Sequence, residues 1–424
     1  MIKIFKTFSF LLCFIQISCS SKFNEKVELD FWAMGAEAEH VQKLIDEFEK
    51  LNPGIKVKIQ AIPWTAAHEK LITAYASETT PDIFQLGNTW IPEFVALESL
   101  ENLNGWIKNS STIKKENYFP GIWETNVIDN NVYGVPWYVD TRVLFYRKDI
   151  LAKAGFLQPP KTWEELYDLC LKIKRINPGT NKFAIFLPTN EWAPFIIFGL
   201  QAGAGLLKDN NSLSNFSDPK FKKAFSYLIK FYRDGLSPIG MTQVTNVFQA
   251  FEEGYFALYI TGPWNVNEFR TRLPKKMQNL WMTSPLPAVD RNDYPGVSIA
   301  GGASLVIYKD SEHKNEAWKL VEFLSSKYIQ LQFYKIATDL PAVKEAWKDS
   351  LLQNDIYFKA FYDQLQRAVP MPKVPEWEQI VFAKVQQYAE FAATGALSDD
   401  DALKALDKDV NKILEKRRWM LTLK

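Results

Sequence analysis

The sequence predicts an α/β protein with two lobes, each built on a mostly parallel sheet flanked by helices. Three observations lead to this prediction. The chain has 424 residues, more than one hydrophobic core usually organises. Hydrophobic residues make up 47% of it and charged residues 23%, a globular composition with enough apolar side chains for two cores. Segments with the two-residue period of a strand alternate with segments that have the period of a helix.

The alternation is clearest near the N-terminus. Strands are predicted at 27–31, 55–61 and 81–86, and helices at 41–51 and 66–78. Ligands of such sheets bind beyond the carboxyl ends of the strands. We therefore expect the loops 33–39, 63–66 and 87–90 to contribute to a binding site.

The later part of the chain shows the same two periods. Helices are predicted at 162–176, 218–234 and 312–325, and strands at 183–187, 257–261 and 304–308. Thr162 and Glu165 form a capping-box pattern, and Ser398 followed by three aspartates is a strong helix start. From about Pro341 onward the residues are mainly helical, and we expect them to pack on the second lobe.

Residues 1–18 have the features of a signal peptide. Two lysines precede an apolar run from Phe8 to Ile17, which is shorter than the roughly 20 residues of a membrane span. The residues around Cys19 resemble a bacterial lipoprotein cleavage site, which would make Cys19 the lipidated first residue. Gln16 departs from the pattern, where Leu is usual. A cysteine that merely happens to end a signal peptide is the alternative.

The cysteines fit an exported chain without disulfides. Cys13 lies in the leader and Cys19 would carry lipid, so Cys170 has no partner in the body of the chain. Cys170 shares an amphipathic stretch with leucines and is expected to be a small core residue. We predict a protein exported to the periplasm or cell surface and anchored there by lipid.

Charge and motifs exclude several functions. The formal net charge is +1 and no Lys/Arg block occurs, so no nucleic-acid partner is expected. His68-Glu69 begins a zinc-protease pattern, but Ile72 occupies the position of the second histidine. No phosphate-binding, dinucleotide-binding or nucleophile-elbow motif occurs, and we expect no metal, no cofactor and no catalysis. Two carboxylates could still meet in space, which leaves a secreted glycosidase or lyase as an alternative.

One segment, residues 133–166, places Asp140 and Arg142 among strand-forming and aromatic residues. This segment closely resembles the first crossover between lobes in the extracellular solute-binding proteins of sugar ABC importers, the broad maltose/trehalose-type family. The resemblance extends over nearly the whole mature chain, 27–414. It implies a type II periplasmic-binding-protein fold with hinge crossovers and a monomer that binds a sugar between its lobes. It also implies delivery to the transmembrane permease subunits of an ABC importer.

The resemblance also implies boundaries for the two lobes and leaves two alternatives for the function. Lobe one would comprise 27–138 and 285–340, and lobe two 139–284 and 341–424. A glycerophosphate-type ligand stays open, since relatives bind such ligands and Arg142 would suit a phosphate. A receptor that serves a sensor kinase rather than a transporter also stays open.

Several residues are candidates for ligand contact because sugars combine hydroxyls with C–H faces that stack on aromatic rings. Trp264 follows a strand and a Gly-Pro turn that presents a stacking platform in the family, and Asp140 would accept hydrogen bonds from hydroxyls. Each candidate also has a structural alternative, as a core, hinge or capping residue. The further candidates are Arg142, Glu37, Gly35, Asn88, Thr89, Trp90, Trp137, Glu191, Trp192, Gly301, Gly302 and Trp377.

Overall fold

The computed structural model describes residues 26–179, 182–240, 244 and 246–422. Its strands are β1 Val27–Met34, β2 Ile55–Ile62, β3 Ile83–Gly87, β4 Val127–Ile128, β5 Asn131–Val132, β6 Val135–Asp140, β7 Val143–Arg147, β8 Ile185–Phe186, β9 Leu207–Lys208, β10 Leu213–Ser214, β11 Leu258–Thr261, β12 Trp281–Ser284, β13 Ser298–Ile299, β14 Gly301–Ile307, β15 Leu340–Pro341 and β16 Ala368–Val369. The signal peptide and Cys19 lie outside the described residues.

The helices alternate with these strands. They are α1 Gly35–Leu51, α2 Trp64–Ala76, α3 Ile91–Ala96, α4 Asn104–Asn109, α5 Pro120–Glu124, α6 Lys148–Lys153, α7 Trp163–Ile176, α8 Ala193–Gln201, α9 Pro219–Arg233, α10 Val247–Glu252, α11 Trp264–Arg272, α12 Lys314–Leu324, α13 Lys327–Ala337, α14 Ser350–Gln353, α15 Lys359–Leu365, α16 Gln386–Ala393, α17 Asp399–Ile413 and α18 Glu415–Leu421. Short 3-10 helices span Lys115–Asn117, Lys275–Met277, Arg291–Asp293 and Lys344–Lys348, and a π-helix spans Gln379–Val385. None of the described helices combines the length and apolar character that a membrane span requires.

The first lobe is built on a six-stranded sheet in the order β15-β6-β14-β3-β1-β2. β1 pairs in parallel with β2 and β3, while β14 is antiparallel to both of its neighbours, β3 and β6. Four strands therefore share one direction, and β14 and β15 oppose them. β14 is reversed because the chain leaves this sheet at the carboxyl end of β6 and returns at the same edge.

The second lobe is built on a four-stranded sheet in the order β12-β7-β11-β8. β8 and β11 are parallel, and β7 is antiparallel to both β11 and β12. Three of the four strands thus share a direction. The α/β fold class with two lobes is confirmed, and the reversed strands occur where the chain passes between the sheets.

Segments of three connections between the sheets lie side by side. The first is Thr141 and Arg142, because β6 ends at Asp140 and β7 begins in the other sheet at Val143. β13 lies in the second connection and pairs in parallel with β16, which lies in the third. The Thr141 hydroxyl donates to the Ile299 carbonyl at 2.9 Å, and the Arg142 amide donates to Ser298 Oγ at 3.2 Å. The connections are thus hydrogen-bonded to one another.

Helix starts follow their capping residues. The Glu165 amide donates to Thr162 Oγ1 at 3.1 Å at the start of α7, and the Asp401 amide donates to Ser398 Oγ at 3.1 Å at the start of α17. The Glu165 carboxylate accepts from the amide of Lys161 rather than from that of Thr162. Both predicted caps are confirmed, and the capping box is shifted by one residue in its return hydrogen bond.

One cluster of buried hydrophobic side chains extends from the first sheet, at Phe31, to the second sheet, at Phe145 and Trp281. Phe145 of β7 stacks on Trp281 of β12, and Trp281 stacks on Tyr357 at 3.9 Å between ring centroids. Cys170 is fully buried in the core of the second lobe, and burial raises the pKa of its thiol well above the ordinary value. It is therefore a core residue, as its helical period predicts.

Several local expectations need correction. The helix expected over 41–51 begins at Gly35, so the expected loop 33–39 is the end of β1 and the first turn of α1. The helix expected from residue 66 begins at Trp64, and the strand expected over 183–187 is only Ile185–Phe186. The expectation that the chain packs on the second lobe from Pro341 onward is wrong for its first residues. Trp347 lies against Phe119 and donates its indole N–H to the Pro341 carbonyl, which places it beside the first lobe. The lobe limits otherwise stay a prediction.

Candidate functional site

A cavity of about 860 Å³ lies between the two lobes at the carboxyl ends of β1, β3 and β6. Both lobes contribute to its wall, since Glu37 and Trp90 follow strands of the first sheet and Trp264 follows β11 of the second. The lining residues are mostly aromatic side chains, carboxylates, amides and glycine backbone. Its size falls within the range of roughly 300–1,000 Å³ that is typical of small-molecule sites.

Glu37, in the first turn of α1, is held by a chain of hydrogen bonds on the first lobe. The Tyr138 hydroxyl donates to Glu37 Oε1 at 2.9 Å and accepts from Gln85 Nε2 at 2.9 Å. Gln85 Oε1 in turn accepts from the amide of Met34 at 2.7 Å, at the end of β1. The carboxylate of Glu37 is therefore fixed in position by groups that are themselves fixed.

Two indoles form an aromatic corner on the same lobe. Trp64 and Trp90 meet edge to face with their centroids 5.8 Å apart. Gly35 makes room for Trp64, because a Cβ on Gly35 would lie 2.7 Å from Trp64 Cδ1 and the φ of Gly35 is +56°. Gly35 itself does not line the cavity. Its role in this structure is to shape the wall.

Asp140, Arg142 and Trp264 form one unit where the lobes join. Arg142 Nη1 donates to Asp140 Oδ1 at 2.9 Å, and the guanidinium carbon lies 4.6 Å from the centroid of the Trp264 ring. Trp264 is 46% exposed, and it lines the cavity. Burial raises the pKa of Asp140, although the charge of Arg142 acts in the opposite direction.

Glycines permit the close approach of backbone and side chains around this unit. A Cβ on Gly301 would lie 2.2 Å from Asp140 Oδ1, and a Cβ on Gly302 would lie 2.3 Å from the Tyr138 carbonyl oxygen. Asn88 connects the loop after β3 to these glycines. Its Nδ2 donates to the Gly301 carbonyl at 3.2 Å, and its amide donates to the Gly302 carbonyl at 3.1 Å.

The second lobe adds an aromatic pair. Trp192 precedes α8, and Phe382 lies on the π-helix; their rings meet edge to face at 5.9 Å. Phe382 is 54% exposed on the cavity wall, although it is a large apolar side chain. An exposed aromatic ring inside a cleft is a typical platform for an apolar ligand face.

Three carboxyl groups crowd one corner of the cavity. Asp339 follows α13, and its carboxyl joins those of Glu37 and Asp140. Burial, then the charges of Glu37 and Asp140, raise the pKa of Asp339 well above its ordinary value of 3.8. Burial likewise raises the pKa of Glu37. Among the described residues, no group of three or more His, Cys, Asp or Glu side chains is arranged to hold a metal ion.

This corner makes stability depend on pH in a defined direction. A raised pKa means that folded Asp339 keeps a proton that the unfolded chain has released, so stability falls as the pH rises above about 3.8. Between pH 3.8 and the raised pKa of folded Asp339, we expect the free energy of unfolding of Asp339→Asn to increase relative to that of the parent protein. The difference should grow by at most about 1.4 kcal/mol per pH unit. Denaturant unfolding of the ligand-free proteins at a series of pH values measures this difference.

The matched control is Glu312→Gln, which removes one exposed carboxylate far from the cavity. Its stability should stay parallel to that of the parent protein at all pH values. A constant offset between Asp339→Asn and the parent protein over the same range would contradict the raised pKa.

The structure brings ten of the fourteen candidate residues to the cavity wall: Glu37, Asn88, Thr89, Trp90, Asp140, Arg142, Trp192, Trp264, Gly301 and Gly302. Gly35, Trp137, Glu191 and Trp377 are not among the lining residues. For the ten lining residues, contact with the ligand stays a proposal. For the other four, contact with the ligand is no longer proposed.

Of the four residues that do not line the cavity, Gly35 shapes its wall, and the other three also have structural roles. Trp137 is buried and stacks on Phe333 with 4.7 Å between centroids, so it belongs to the core of the first lobe. Trp377 is buried behind the cavity and donates its indole N–H to Met371 Sδ at 3.3 Å. Glu191 accepts a hydrogen bond from the Ala193 amide at the start of α8.

Other lining residues were not among the candidates. The position of Trp64 was predictable from the sequence, since it lies in the segment 63–66 that was expected at the site. No feature of the sequence indicated Asp339, Glu378 or Phe382, because they belong to or adjoin helical segments that only the tertiary fold brings to the cleft. The additional lining residues with side chains suited to ligand contact are His40, Trp64, Phe248, Asn267, Glu268, Asp339, Met371, Glu378 and Phe382.

Comparisons with known proteins agree with this arrangement. A family model described as bacterial extracellular solute-binding protein matches residues 35–330. The structure of the sugar-binding protein MalE from the phytopathogen Xanthomonas citri is 46% identical, with a TM-score of 0.90, and the match covers 94% of this chain and 100% of that chain.

Two curated relatives are also similar over most of their length. The diacetylchitobiose binding protein DasA of Streptomyces coelicolor is 27% identical over 86% of this chain and 84% of its own. The galactooligosaccharide-binding protein of Bacillus subtilis is 27% identical over 93% of this chain and 91% of its own.

Proposed function

Because this chain belongs to the bacterial extracellular solute-binding protein family, we propose that it binds a saccharide between its lobes and delivers it to an ABC importer. The observation that carries this proposal is the cavity wall, which combines aromatic faces with carboxylates from both lobes. The relatives described above are named for binding sugars of one or more units.

The chemistry of the wall suits a saccharide. Trp264 and Phe382 present exposed ring surface on which the C–H face of a sugar ring can stack. Glu37 and Asp140 are held by neighbouring groups and can accept hydrogen bonds from hydroxyls. Such bonds to fixed, partly buried carboxylates are the stronger kind, because the acceptor is charged and already oriented.

Closure of the lobes would couple binding to transport. A ligand that contacts Glu37 on one lobe and Trp264 on the other stabilises the closed form by its greater affinity for that form. The side-by-side connections at 141–142, 298–299 and 368–369 are suited to act as the hinge. The closed form would then dock on the permease subunits of the importer.

The experiment that tests this function is a thermal-shift screen against neutral mono- and oligosaccharides. A ligand that binds only the folded state raises the melting temperature, by an amount that grows with its concentration. Solution scattering with the best saccharide should show a more compact molecule. A screen without any shift, or scattering that is unchanged at saturation, would contradict the proposal.

Binding without conversion is part of the proposal. The relatives above are named as binding proteins, whereas a glycosidase or lyase would convert the sugars that it binds. Incubation with the saccharides that raise the melting temperature, followed by chromatography, separates the two functions. Any product that accumulates in proportion to the protein would support the enzyme.

A lipid anchor on Cys19 is proposed from the leader sequence alone. The anchor would hold the protein near its permease, as a monomer at the membrane surface. Mass spectrometry of the mature N-terminus tests this, since a lipidated Cys19 has a defined added mass. An unmodified N-terminus at another residue would contradict it.

A further inference from the structure

We propose that the cavity accepts uncharged or amino-bearing saccharides and rejects saccharides that carry a carboxylate, sulfate or phosphate, a narrowing that rests on the proposed function. The glycerophosphate alternative falls within the rejected class. The inference depends on the charges of the cavity wall and on how its one arginine is engaged.

Carboxylates outnumber cationic side chains on the wall. Five carboxyl groups line it, those of Glu37, Asp140, Glu268, Asp339 and Glu378. The basic groups are Arg142 and His40, and no lysine is present among the described lining residues. Burial raises the pKa of Glu37, Asp140, Asp339 and Glu378, so this space already disfavours negative charge. An anionic ligand would face the same penalty, with no unengaged arginine or lysine among the described lining residues to offset it.

Arg142 is already engaged on two sides. Its Nη1 donates to Asp140 at 2.9 Å, and the plane of its guanidinium covers Trp264 at 4.6 Å. The side chain is only 13% exposed. A phosphate that captured this guanidinium would separate it from Asp140, whose side chain is only 23% exposed, and the loss of one partner from such a pair is unfavourable.

Asp339 strengthens the preference for donors. Its carboxyl faces the cavity and makes no side-chain hydrogen bond to any other part of the chain that the structure describes. Burial and the charges of Glu37 and Asp140 disfavour negative charge on Asp339, and an anionic group of a ligand placed beside it would meet the same burial and the same two neighbours. A hydroxyl or an ammonium group is the complementary partner, since each can donate a hydrogen bond to the carboxyl.

The test uses two pairs of disaccharides, each with one neutral and one charged member, and one phosphate probe. α-1,4-Galactobiose and α-1,4-digalacturonic acid differ at the sixth carbon of each ring, and diacetylchitobiose and chitobiose differ in the amino groups. Glycerol 3-phosphate is the phosphate probe. Calorimetric titration at low salt measures each affinity on the full mature chain.

We expect a neutral member of these pairs to bind and digalacturonic acid to bind at least tenfold more weakly than galactobiose. Chitobiose should bind within tenfold of diacetylchitobiose, and glycerol 3-phosphate should produce no heat of binding. Affinity for digalacturonic acid or glycerol 3-phosphate that equals or exceeds that of the neutral probes would overturn the inference and leave saccharide binding intact. Binding of no probe at all would overturn both the inference and the proposed function.

A variant pair assigns the effect to the Asp140–Arg142 pair. Asp140→Asn removes the carboxylate that engages Arg142 at 2.9 Å, so it should reduce the discrimination between galactobiose and digalacturonic acid by about fivefold, the effect of one charge at close range in a partly screened site. Glu312→Gln, which removes an exposed charge elsewhere, should leave the ratio unchanged. An unchanged ratio in Asp140→Asn, with an intact fold and measurable binding of galactobiose, would overturn the role given to the Asp140–Arg142 pair.

Discussion

Replacement of Trp264 by alanine should weaken saccharide binding by about 1–3 kcal/mol, the range that stacking and burial of an aromatic side chain supply. This corresponds to a dissociation constant about 5 to 150 times larger. The effect should be large because the ring is 46% exposed inside the cavity and is held on its other side by Arg142. Calorimetric titration with the saccharide that gives the largest thermal shift measures it.

Two further variants make this result specific. Trp419 is also an exposed tryptophan, 61% exposed on α18, and Trp419→Ala should leave the affinity unchanged. Trp264→Phe should retain part of the affinity, because the smaller ring still offers a stacking face. If Trp264→Ala binds as tightly as the parent protein and melts at the same temperature, Trp264 is not a ligand contact.

Gly302→Ala should destabilise the fold by about 2–5 kcal/mol, the sum of backbone strain and overpacking. The φ of Gly302 is +111°, which side chains rarely permit. An added Cβ would also lie 2.3 Å from the Tyr138 carbonyl oxygen and 2.9 Å from the Val139 Cα. Both contacts are with the backbone of β6, the neighbouring strand, so no side-chain rotation can relieve them. Urea unfolding of the ligand-free protein measures the loss.

The matched control is Gly54→Ala, where an added Cβ meets nothing within 4 Å and φ is not in the positive region. Its free energy of unfolding should stay within about 0.5 kcal/mol of the parent value. Equal stability of Gly302→Ala and Gly54→Ala would show that β14 can shift away from β6. It would also remove the reason for a glycine at this position.

The fold could be predicted from the sequence where one face of an element is buried and the other is not. α1 shows this, because its buried side chains recur every three or four residues. β6 is different, because five of its six residues are buried and alternation is absent. The sequence therefore had no means of showing that Trp137 faces the core while Tyr138 reaches the cavity.

Some residues of the candidate site could be predicted from the sequence and others could not. Residues that directly follow a strand, such as Glu37 and Asn88, could be predicted, because strand ends meet at one edge of a sheet. Phe382 and Asp339 follow or belong to helices, and only tertiary packing brings them to the cleft. Trp377 and Trp264 both follow prolines closely, yet one is 1% and the other 46% exposed, and local sequence does not distinguish them.

The pairing of β13 with β16, together with the bonds from Thr141 and Arg142 to the segment before β14, restricts how the halves of the molecule can move. Strands tied to each other cannot slide or twist independently without loss of their hydrogen bonds. If the lobes close as proposed, a rotation of one lobe about these paired connections is the motion that keeps their hydrogen bonds. Ligands of different length would therefore stop this rotation at different angles, and the angle itself would tell a membrane partner how full the cleft is.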